Sequence, residues 1–347
     1  MTQANTALVI GATGGAGRAV AEALAGHGWR VRALHRRPRD AAASMPALAV
    51  DWVGGDAMTQ ADVVAAASGA RLLFHGANPP GYARWRELAI PMLASAIAAA
   101  AASGARLVFP GNVYNFGPDA GPVLREDSPQ HPRTRKGRVR VEMERMLAAA
   151  AAARSARTLV RRAGDFLGDA AGSWFRAVLV KPGRPVRRVT YPGRPGTGHA
   201  WAYLPDYAQA VAGLAEVEAS LPDFDRFHFG GHWIDPGIEI AEAVRRAAGR
   251  PDLPIRRFPW IAVRLAAPFS PFLRELIEMR YLWQEPVQMD NTRLRSVLGQ
   301  KTGRERPPWC DDFVASRQHR HRPHRAGRGG RRRGDGRDGA DPAVRRR

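Results

Sequence analysis

The residues best suited to chemistry lie near the start of the chain, where a glycine-rich turn follows an apolar run. Residues 11–17 read Gly-Ala-Thr-Gly-Gly-Ala-Gly, directly after the apolar residues 7–10. Glycine at 11 permits a sharp turn, glycine at 14 lets the backbone approach a pyrophosphate, and glycine at 17 allows close packing of a helix on the strand. A helix that follows this turn would point its amides at the phosphates. The predicted dinucleotide contacts are Gly11, Thr13, Gly14, Gly15, Ala16 and Gly17.

The end of the second predicted strand indicates which dinucleotide would bind. An acidic residue there bonds the adenosine ribose 2′-hydroxyl and selects NAD, whereas an arginine accommodates the 2′-phosphate of NADP. Residues 31–38 read Val-Arg-Ala-Leu-His-Arg-Arg-Pro, and no acid follows until Asp40. Arg36 lies at about the expected distance from Gly11. The sequence therefore predicts NADP, with NAD as the alternative.

Composition narrows the class of protein. A single cysteine, Cys310, excludes a disulfide framework or a cysteine-based zinc site and is typical of a reducing cytoplasm. The histidines show no metal-ligand spacing, so no metal site is predicted. The formal net charge of +21 rests on arginine, since only three of the 53 basic residues are lysine. That bias suggests GC-rich coding rather than selection for phosphate, and nucleic-acid binding is not expected.

The end of the chain differs from the rest. Residues 317–347 hold twelve arginines and none of Leu, Ile, Phe, Trp, Tyr or Met. Such a segment cannot bury enough apolar surface to offset its ordering entropy, so we expect a disordered basic tail over 301–347. A shifted reading frame near residue 300 would also explain the change. A tail that binds nucleic acid or membrane is the alternative, which the lack of interleaved aromatic residues disfavours.

Alternating strand and helix patterns in the first half predict an α/β fold, a doubly wound parallel sheet of the Rossmann type with a small mixed C-terminal substrate region. Strands are expected at 6–10, 30–34, 47–50, 71–75, 106–110 and 157–161. Helices are expected at 16–27, 59–68, 84–103 and 136–153.

The pattern loosens after residue 170. It predicts short strands at 201–204 and 227–229, a helix over 207–218 with Asp206 as its N-cap, and helices at 237–248, 259–266 and 270–283. The expected organisation is a dinucleotide-binding domain over 1–170, a substrate-binding region over 171–300 and the tail over 301–347.

In this order the segments resemble the extended and atypical short-chain dehydrogenase/reductases, the group that holds the NAD-dependent epimerase/dehydratases. The turn 11–17 is similar to the nucleotide turn of that family. Gly54-Gly55-Asp56 lies where the family has a glycine–aspartate pair, which implies that Asp56 faces the adenine. Ala77-Asn78-Pro79-Pro80 follows the fourth predicted strand, which implies that Asn78 flanks the riboses. The resemblance spans about residues 5–300.

The resemblance ends at the acid–base residues. The family's usual active site is a Ser or Thr after the fifth strand and a Tyr-x-x-x-Lys pair, one helical turn apart, on the next helix. The tyrosine transfers the proton, and the lysine lowers the tyrosine pKa and holds the nicotinamide ribose. In this chain Lys136 occupies the tyrosine position, Arg140 the lysine position, and Asn112 lies near the serine position.

Two interpretations of this segment stay open. In one, Lys136 transfers the proton because neighbouring arginines and an oxidised nicotinamide lower its pKa, while Arg140 contacts the ribose and Asn112 bonds the substrate oxygen. In the other, Lys136 belongs to a solvated basic helix start. Tyr114, just past the fifth strand, is the rival acid–base residue unless it only packs in the loop. Asp165, past the sixth strand, either contacts substrate or caps a turn.

Together these features predict an NAD(P)-dependent enzyme of the epimerase, dehydratase or reductase type. It would move a hydride between the nicotinamide and a hydroxyl- or carbonyl-bearing carbon of a small substrate, for example a sugar nucleotide. Because the Tyr-x-x-x-Lys pair is missing, the alternative is an NADP(H)-binding redox sensor without catalysis. The apolar stretch 90–102 is too short to span a bilayer. We expect a cytoplasmic protein without membrane contact, and a homodimer is compatible with this fold.

Overall fold

The computed structural model describes residues 5–79, 84–167, 179 and 186–299, so the predicted tail over 301–347 lies outside the described residues. The described strands are β1 (Thr6–Ile10), β2 (Arg30–His35), β3 (Asp51–Gly54), β4 (Leu72–His75), β5 (Arg106–Asn112), β6 (Val123–Leu124), β7 (Thr158–Ala163), β8 (Asp165–Leu167), β9 (Val189–Tyr191), β10 (His199–Tyr203), β11 (Phe224–Phe229), β12 (His232–Ile234), β13 (Ile255–Arg257) and β14 (Gln288–Met289). The described helices are α1 (Gly15–Gly26), α2 (Pro38–Ser44), α3 (Gln60–Ala66), α4 (Trp85–Ser103), α5 (Arg135–Ala152), α6 (Leu204–Glu216), α7 (Glu239–Ala247), α8 (Trp260–Ala266), α9 (Pro271–Glu278) and α10 (Thr292–Leu298).

The largest sheet has seven strands in the order β11-β7-β5-β4-β1-β2-β3, and all its pairs are parallel. The chain starts in the middle at β1, winds outward to β3 and then crosses back to β4 on the other side of β1. The carboxyl ends of β1 and β4 therefore border the crevice in which open parallel sheets bind ligands. The prediction of a doubly wound Rossmann sheet is confirmed.

Side chains of β1 alternate between two apolar layers. Ala7 and Val9 pack in a cluster with α1 and α6, whereas Leu8 and Ile10 pack in a second cluster with α3, α4 and α5. Neighbouring residues of a strand point to opposite faces, so a strand buried on both sides needs an unbroken apolar run. All four side chains are buried. This central strand fixes where the glycine-rich turn begins.

Helix α4 is long and apolar enough to cross a membrane by length and composition alone. In the structure it packs on the sheet between α3 and α5. Leu93, Ala96 and Ala99 are buried in the same cluster as Leu8. These contacts make α4 a layer of the core, and Gly104, at φ +71°, ends it.

The later part of the chain returns to the main sheet after the predicted boundary at residue 170. β11 pairs in parallel with β7, and α6 packs on α1 through Tyr207 and Val211. The rest of this part carries α7 to α10 and short strands that belong to three small sheets, with orders β12-β10-β8, β13-β9 and β14-β6. β6 and β8 of these sheets come from the chain before residue 170. The nucleotide-binding half therefore includes a strand and a helix from residues 204–229.

The boundaries of β3, α6 and α9 are among those that differ from the prediction. β3 spans 51–54 rather than 47–50, because Asp51 at the sheet edge pairs with Arg30 and stays exposed. α6 begins at Leu204, so Asp206 lies in its first turn and is not the N-cap. Pro205 explains this, since proline suits the first turn of a helix. The predicted helix 270–283 ends at Glu278, and a 3₁₀ turn follows it.

Candidate cofactor site and active site

The turn after β1 is built so that only glycine fits at two of its positions. Gly11 has φ +88°, and a Cβ atom there would lie 2.7 Å from the backbone of Gly76 and Ala77. A Cβ atom on Gly17 would lie 2.2 Å from the carbonyl oxygen of Gly11. The turn is closed by a hydrogen bond of 3.0 Å from the Gly14 amide to the same oxygen. The end of β1, the end of β4 and the start of α1 therefore meet with no space for side chains.

The outer side of this turn is open. A Cβ atom on Gly14 would meet only the Gly11 oxygen, at 3.4 Å. Gly14 is also the N-cap of α1, and no side chain caps the helix there. Free amides at a helix N-terminus and a backbone surface without Cβ atoms are what a pyrophosphate requires. Thr13 and Gly14 are exposed and Gly15 and Ala16 are half-buried, so this cradle fits the two phosphates of a dinucleotide.

At the end of β2, Arg36 is exposed. The next two acids along the chain are engaged, because Asp40 pairs with Arg37 at 3.5 Å and Asp51 with Arg30 at 2.6 Å. Among the described residues, Arg36 forms no ion pair with a carboxylate. A basic side chain without such a partner at this strand end can accept a 2′-phosphate.

The residues expected to flank the adenosine are partly used within the protein. The carboxylate of Asp56 accepts a hydrogen bond of 2.9 Å from the Met58 amide, and the Asp56 amide donates to Asp62 at 2.9 Å. Asn78, after β4, accepts a hydrogen bond of 2.9 Å from the indole of Trp85. These bonds hold both side chains at the carboxyl edge of the sheet.

A cationic and aromatic cluster lies at the ends of β4 and β5. The guanidinium of Arg140 lies over the rings of Trp85 and Phe109, at 4.9 and 5.1 Å, and donates to the carbonyl of Pro110 at 3.1 Å. The ring of His75 stacks on the ring of Phe109, with centroids 6.2 Å apart. Burial lowers the pKa of His75 to about 4, and the charge of Arg140 adds to this. Neither ring nitrogen of His75 bonds to another described residue.

The loop after β5 lies against the start of α5. The side chain of Asn112 accepts a hydrogen bond of 3.0 Å from the Tyr114 amide. A Cβ atom on Gly137 would lie 2.2 Å from the carbonyl oxygen of Tyr114, so only glycine permits this approach. The hydroxyl of Thr134 caps α5 by accepting from the Gly137 amide at 2.9 Å. The fold thus brings Asn112, Tyr114 and Lys136 to one end of the sheet.

Lys136 is buried and paired. Its ammonium lies 3.0 Å from Oε2 of Glu275 and donates to the Glu275 carbonyl, also at 3.0 Å. Burial is the main cause that lowers the pKa of Lys136, and Glu275 opposes it. Of the neighbouring arginines expected to lower this pKa, Arg135 contributes, and less than burial does. The side chain is 3% exposed, so the solvated basic segment of the second interpretation is wrong for this residue.

The family of the chain follows from a sequence comparison. A model of the NAD dependent epimerase/dehydratase family matches residues 7–224. The chain belongs to this family. The resemblance that the sequence analysis gives is therefore confirmed, and the family is NAD-dependent. No curated protein matches the sequence at a significant level.

Solved structures with the same fold include several epimerase/dehydratase proteins. UDP-N-acetylglucosamine 4-epimerase from Bacillus cereus is 13% identical, with a TM-score of 0.68 over 91% of this chain and 97% of that one. UDP-glucose 4-epimerase from Brucella ovis in complex with NAD is 19% identical, with a TM-score of 0.62 over 76% and 92%. A double mutant of the dTDP-glucose 4,6-dehydratase DesIV from Streptomyces venezuelae, with NAD and DAU bound, is 14% identical, with a TM-score of 0.66 over 91% and 97%.

This epimerase/dehydratase family member also has a polar pair that spacing does not reveal. Nε2 of His199 lies 2.9 Å from Oδ2 of Asp165, and the imidazole stacks on Trp283 with ring centroids 4.1 Å apart. β8 and β10 create the pair, since Trp201 of β10 lies opposite Asp165 in their parallel ladder. The two residues are 34 positions apart, and His199 carries no sequence signal that would single it out.

The pair lies at the same edge of the sheet as Asn112. Ala163 is the register partner of Asn112, and Asp165 follows two residues later. Asp165 is partly exposed, with 21% of its side chain accessible, whereas His199 is buried. Asp165 therefore has a partner beyond the turn or cap that its position suggests. No group of three potential metal-ligating side chains occurs among the described residues of this family member.

Proposed function

We propose that this protein binds a nicotinamide dinucleotide and catalyses hydride transfer at a hydroxyl- or carbonyl-bearing carbon of a small substrate. The observation that carries this proposal is the cradle at Gly11, Gly14 and Gly17, closed toward the protein and open toward the crevice. When bound, the dinucleotide would accept or return the hydride. Sugar-nucleotide substrates are proposed because the similar structures include such enzymes.

The preferred cofactor in this proposal is NADP. Arg36 supports it, because it is exposed at the end of β2 while Asp40 and Asp51 are both paired with other arginines. A 2′-phosphate would gain a charge-assisted contact there, whereas the ribose 2′-hydroxyl of NAD would meet no acceptor carboxylate. NAD remains the alternative, in line with the family's name. Reducing cytoplasm is the proposed location, in keeping with a single cysteine.

The proposed proton-transfer residue is Lys136 or Tyr114, with Asn112 beside the substrate oxygen. Burial lowers the pKa of Lys136 toward a range useful for proton transfer. The ammonium of Lys136 is bound by the carboxylate of Glu275 on α9. This contact would have to break before the ammonium could donate a proton to a substrate. Arg140, held over Trp85 and Phe109, would steady the nicotinamide end as a fixed positive charge.

A second candidate function is an NADP(H)-binding redox sensor without turnover. The ion pair between Lys136 and Glu275 favours it, because a lysine bound to a carboxylate of its own chain is not poised for catalysis. In this case the glycine cradle and Arg36 would still bind NADP(H), but the protein would not catalyse hydride transfer.

Cofactor titration followed by a substrate screen separates these functions. The purified protein is titrated with NADPH and NADH by calorimetry, and then assayed against carbonyl compounds and sugar nucleotides. We expect NADPH to bind and turnover to disappear in either Lys136→Met or Tyr114→Phe, which identifies the proton-transfer residue. Tight NADPH binding with no turnover on any substrate would support the sensor. Failure of both nucleotides to bind would refute both functions.

A further inference from the structure

The helical segment over α8, the 3₁₀ turn Ala267–Phe269 and α9 exposes large apolar side chains. Ile261 is 78% exposed, Leu265 73%, Phe269 89% and Phe272 51%. Most other exposed large apolar side chains of the described residues are isolated and less exposed, such as Val123 at 45%. Large apolar side chains exposed together in one short segment mark an interaction site.

The exposed residues follow helical spacing. Ile261 and Leu265 are four residues apart in α8, so they lie on one side of that helix. Phe269 follows four residues later in the 3₁₀ turn, and we call these three residues the stripe. Another side of the segment packs in the protein core, because Trp260, Val263 and Ala267 are buried. A helix with one apolar side in the core and a second apolar side in solvent offers the second side to a partner.

The sequence on either side of this stripe is strongly basic. Between Asp252 and Glu275 the sequence contains four arginines, Arg256, Arg257, Arg264 and Arg274, and no acid. All four are exposed, and none forms an ion pair with another described residue. β13 carries the first two beside β9, where Arg187 and Arg188 precede the strand and are exposed as well. We call the four apolar residues and these six arginines the apolar–basic face.

The positive charge of these arginines favours an anionic partner for the apolar–basic face. A second copy of the chain would present the same arginines across a two-fold axis, and like charges facing each other oppose association. Apolar side chains that enter a bilayer, with arginines at the level of the headgroups, are the usual features of a helix that lies in a membrane interface. We propose that the apolar–basic face docks on an anionic lipid surface.

Such docking is peripheral and needs no membrane-spanning helix, and it departs from the sequence-based expectation of a protein without membrane contact. It would attract the protein to the negatively charged cytoplasmic leaflet and insert the stripe only to the depth of the acyl boundary. The docked segment also bears on the site, because α9 carries Glu275, which holds Lys136. The lipid surface would then adjoin the helix that covers the start of α5.

Vesicle sedimentation of the full-length chain tests the proposal. The vesicles are phosphatidylcholine alone, or phosphatidylcholine mixed with phosphatidylglycerol. We expect binding to the anionic vesicles only, weakened at least about tenfold by Leu265→Ser with Phe269→Ser, since two inserted apolar side chains are lost. Val123→Ser with Val297→Ser is the matched control, because both residues are exposed elsewhere, and should bind as the wild type does.

A charge-matched pair completes the test. Arg256→Glu with Arg264→Glu should weaken binding more than Arg39→Glu with Arg145→Glu, although both change the net charge equally. Unchanged binding of the Leu265→Ser and Phe269→Ser variant would assign the binding to the basic residues 301–347 and overturn the proposal. Absence of vesicle binding by the wild type would also overturn it, as would a dimer in analytical ultracentrifugation that this variant abolishes.

Discussion

Nζ of Lys136 lies 3.0 Å from Oε2 of Glu275, and this contact joins the first turn of α5 to α9. Arg135 adds a second contact, since its guanidinium lies 3.1 Å from the other oxygen of Glu275. Its backbone amide also bonds to the carboxylate of Glu278. Two carboxylates of α9 thus satisfy the positive start of α5. The residue at the tyrosine position of the family therefore contributes to packing between the two halves of the chain.

The first prediction concerns the stability of this pair. Glu275→Leu should lower the free energy of unfolding by about 3 kcal/mol, because it leaves a buried ammonium without its carboxylate. Lys136→Met should cost less, about 1 kcal/mol, since Glu275 is partly exposed and keeps Arg135 as partner. The double variant should lie close to Lys136→Met. Urea unfolding of the four proteins measures this, and additive losses in the double variant would contradict a direct pair.

The second prediction uses the same variants to separate packing from catalysis. If Lys136 only holds α9, turnover in the double variant should recover toward that of the wild type, because no buried charge remains. If Lys136 transfers the proton, both variants that lack it should stay inactive while Glu275→Leu retains some turnover. Single-turnover rates with saturating cofactor are the measurement. A double variant that is folded, binds cofactor and is inactive would establish the catalytic role.

The third prediction concerns the glycine cradle. Gly17→Ala places a Cβ atom 2.2 Å from the Gly11 oxygen, so the turn must shift and cofactor affinity should fall at least about tenfold. Gly26→Ala is the matched control in the same helix, because nothing lies within 4 Å of its added atom. The control should bind cofactor normally and be more stable by about 0.5 kcal/mol. Equal affinities of the two variants would show that the dinucleotide does not lie on this turn.

The sequence predicts this cradle well because its signal is local. The apolar run of β1, the glycine spacing and the start of α1 lie within about twenty consecutive residues, and a strand buried on both faces has an unmistakable pattern. The sequence also predicts Asn112, Tyr114 and Lys136 at one edge of the sheet, and the contacts of Asn112 and Gly137 with Tyr114 place them there. Strand order alone determines which loops meet there.

The partners of those residues could not be predicted in the same way. Glu275 is 139 positions from Lys136, and His199 is 34 from Asp165. No periodicity links such positions, since they meet only after α9 and β10 pack on the first half of the chain. The predicted position of β3 is wrong for a related reason. The pairing of Asp51 with Arg30 depends on the neighbouring strand β2 and not on the composition of β3.

The fourth prediction is an acid dependence of stability. Burial lowers the pKa of His75 to about 4 and of His228 to about 3. Below pH 6.5, the ordinary pKa of histidine, these two histidines are protonated in the unfolded chain but stay neutral in the folded protein. The free energy of unfolding should therefore fall by up to about 1.4 kcal/mol per pH unit for each histidine. For His75 this loss runs from pH 6.5 to about 4, and above pH 6.5 it disappears.

His75→Phe should remove one such slope while it preserves the stack on Phe109. His27 provides a control of opposite sign, because its bonds to Glu216 and Gln209 raise its pKa. His27→Asn should lose stability in acid relative to the wild type, since the raised pKa stabilises the folded state below pH 6.5. Urea unfolding at several pH values between 4 and 8 measures both, and an unchanged slope in His75→Phe would exclude His75 as a source of the acid dependence.

The fifth prediction concerns the choice of cofactor. Arg36 lies at the end of β2, where a 2′-phosphate would carry up to two negative charges, so Arg36→Ala should weaken NADPH binding about tenfold or more. NADH lacks this phosphate, and its affinity should change less than twofold. Arg39→Ala removes another exposed arginine, from the neighbouring helix α2, and should change neither affinity. Calorimetry of the three proteins with both nucleotides gives the ratio directly. Tighter binding of NADH than of NADPH by the wild type would show that the preference for NADP is wrong. Equal weakening of both nucleotides in Arg36→Ala would show that Arg36 is a general phosphate contact and does not select NADP.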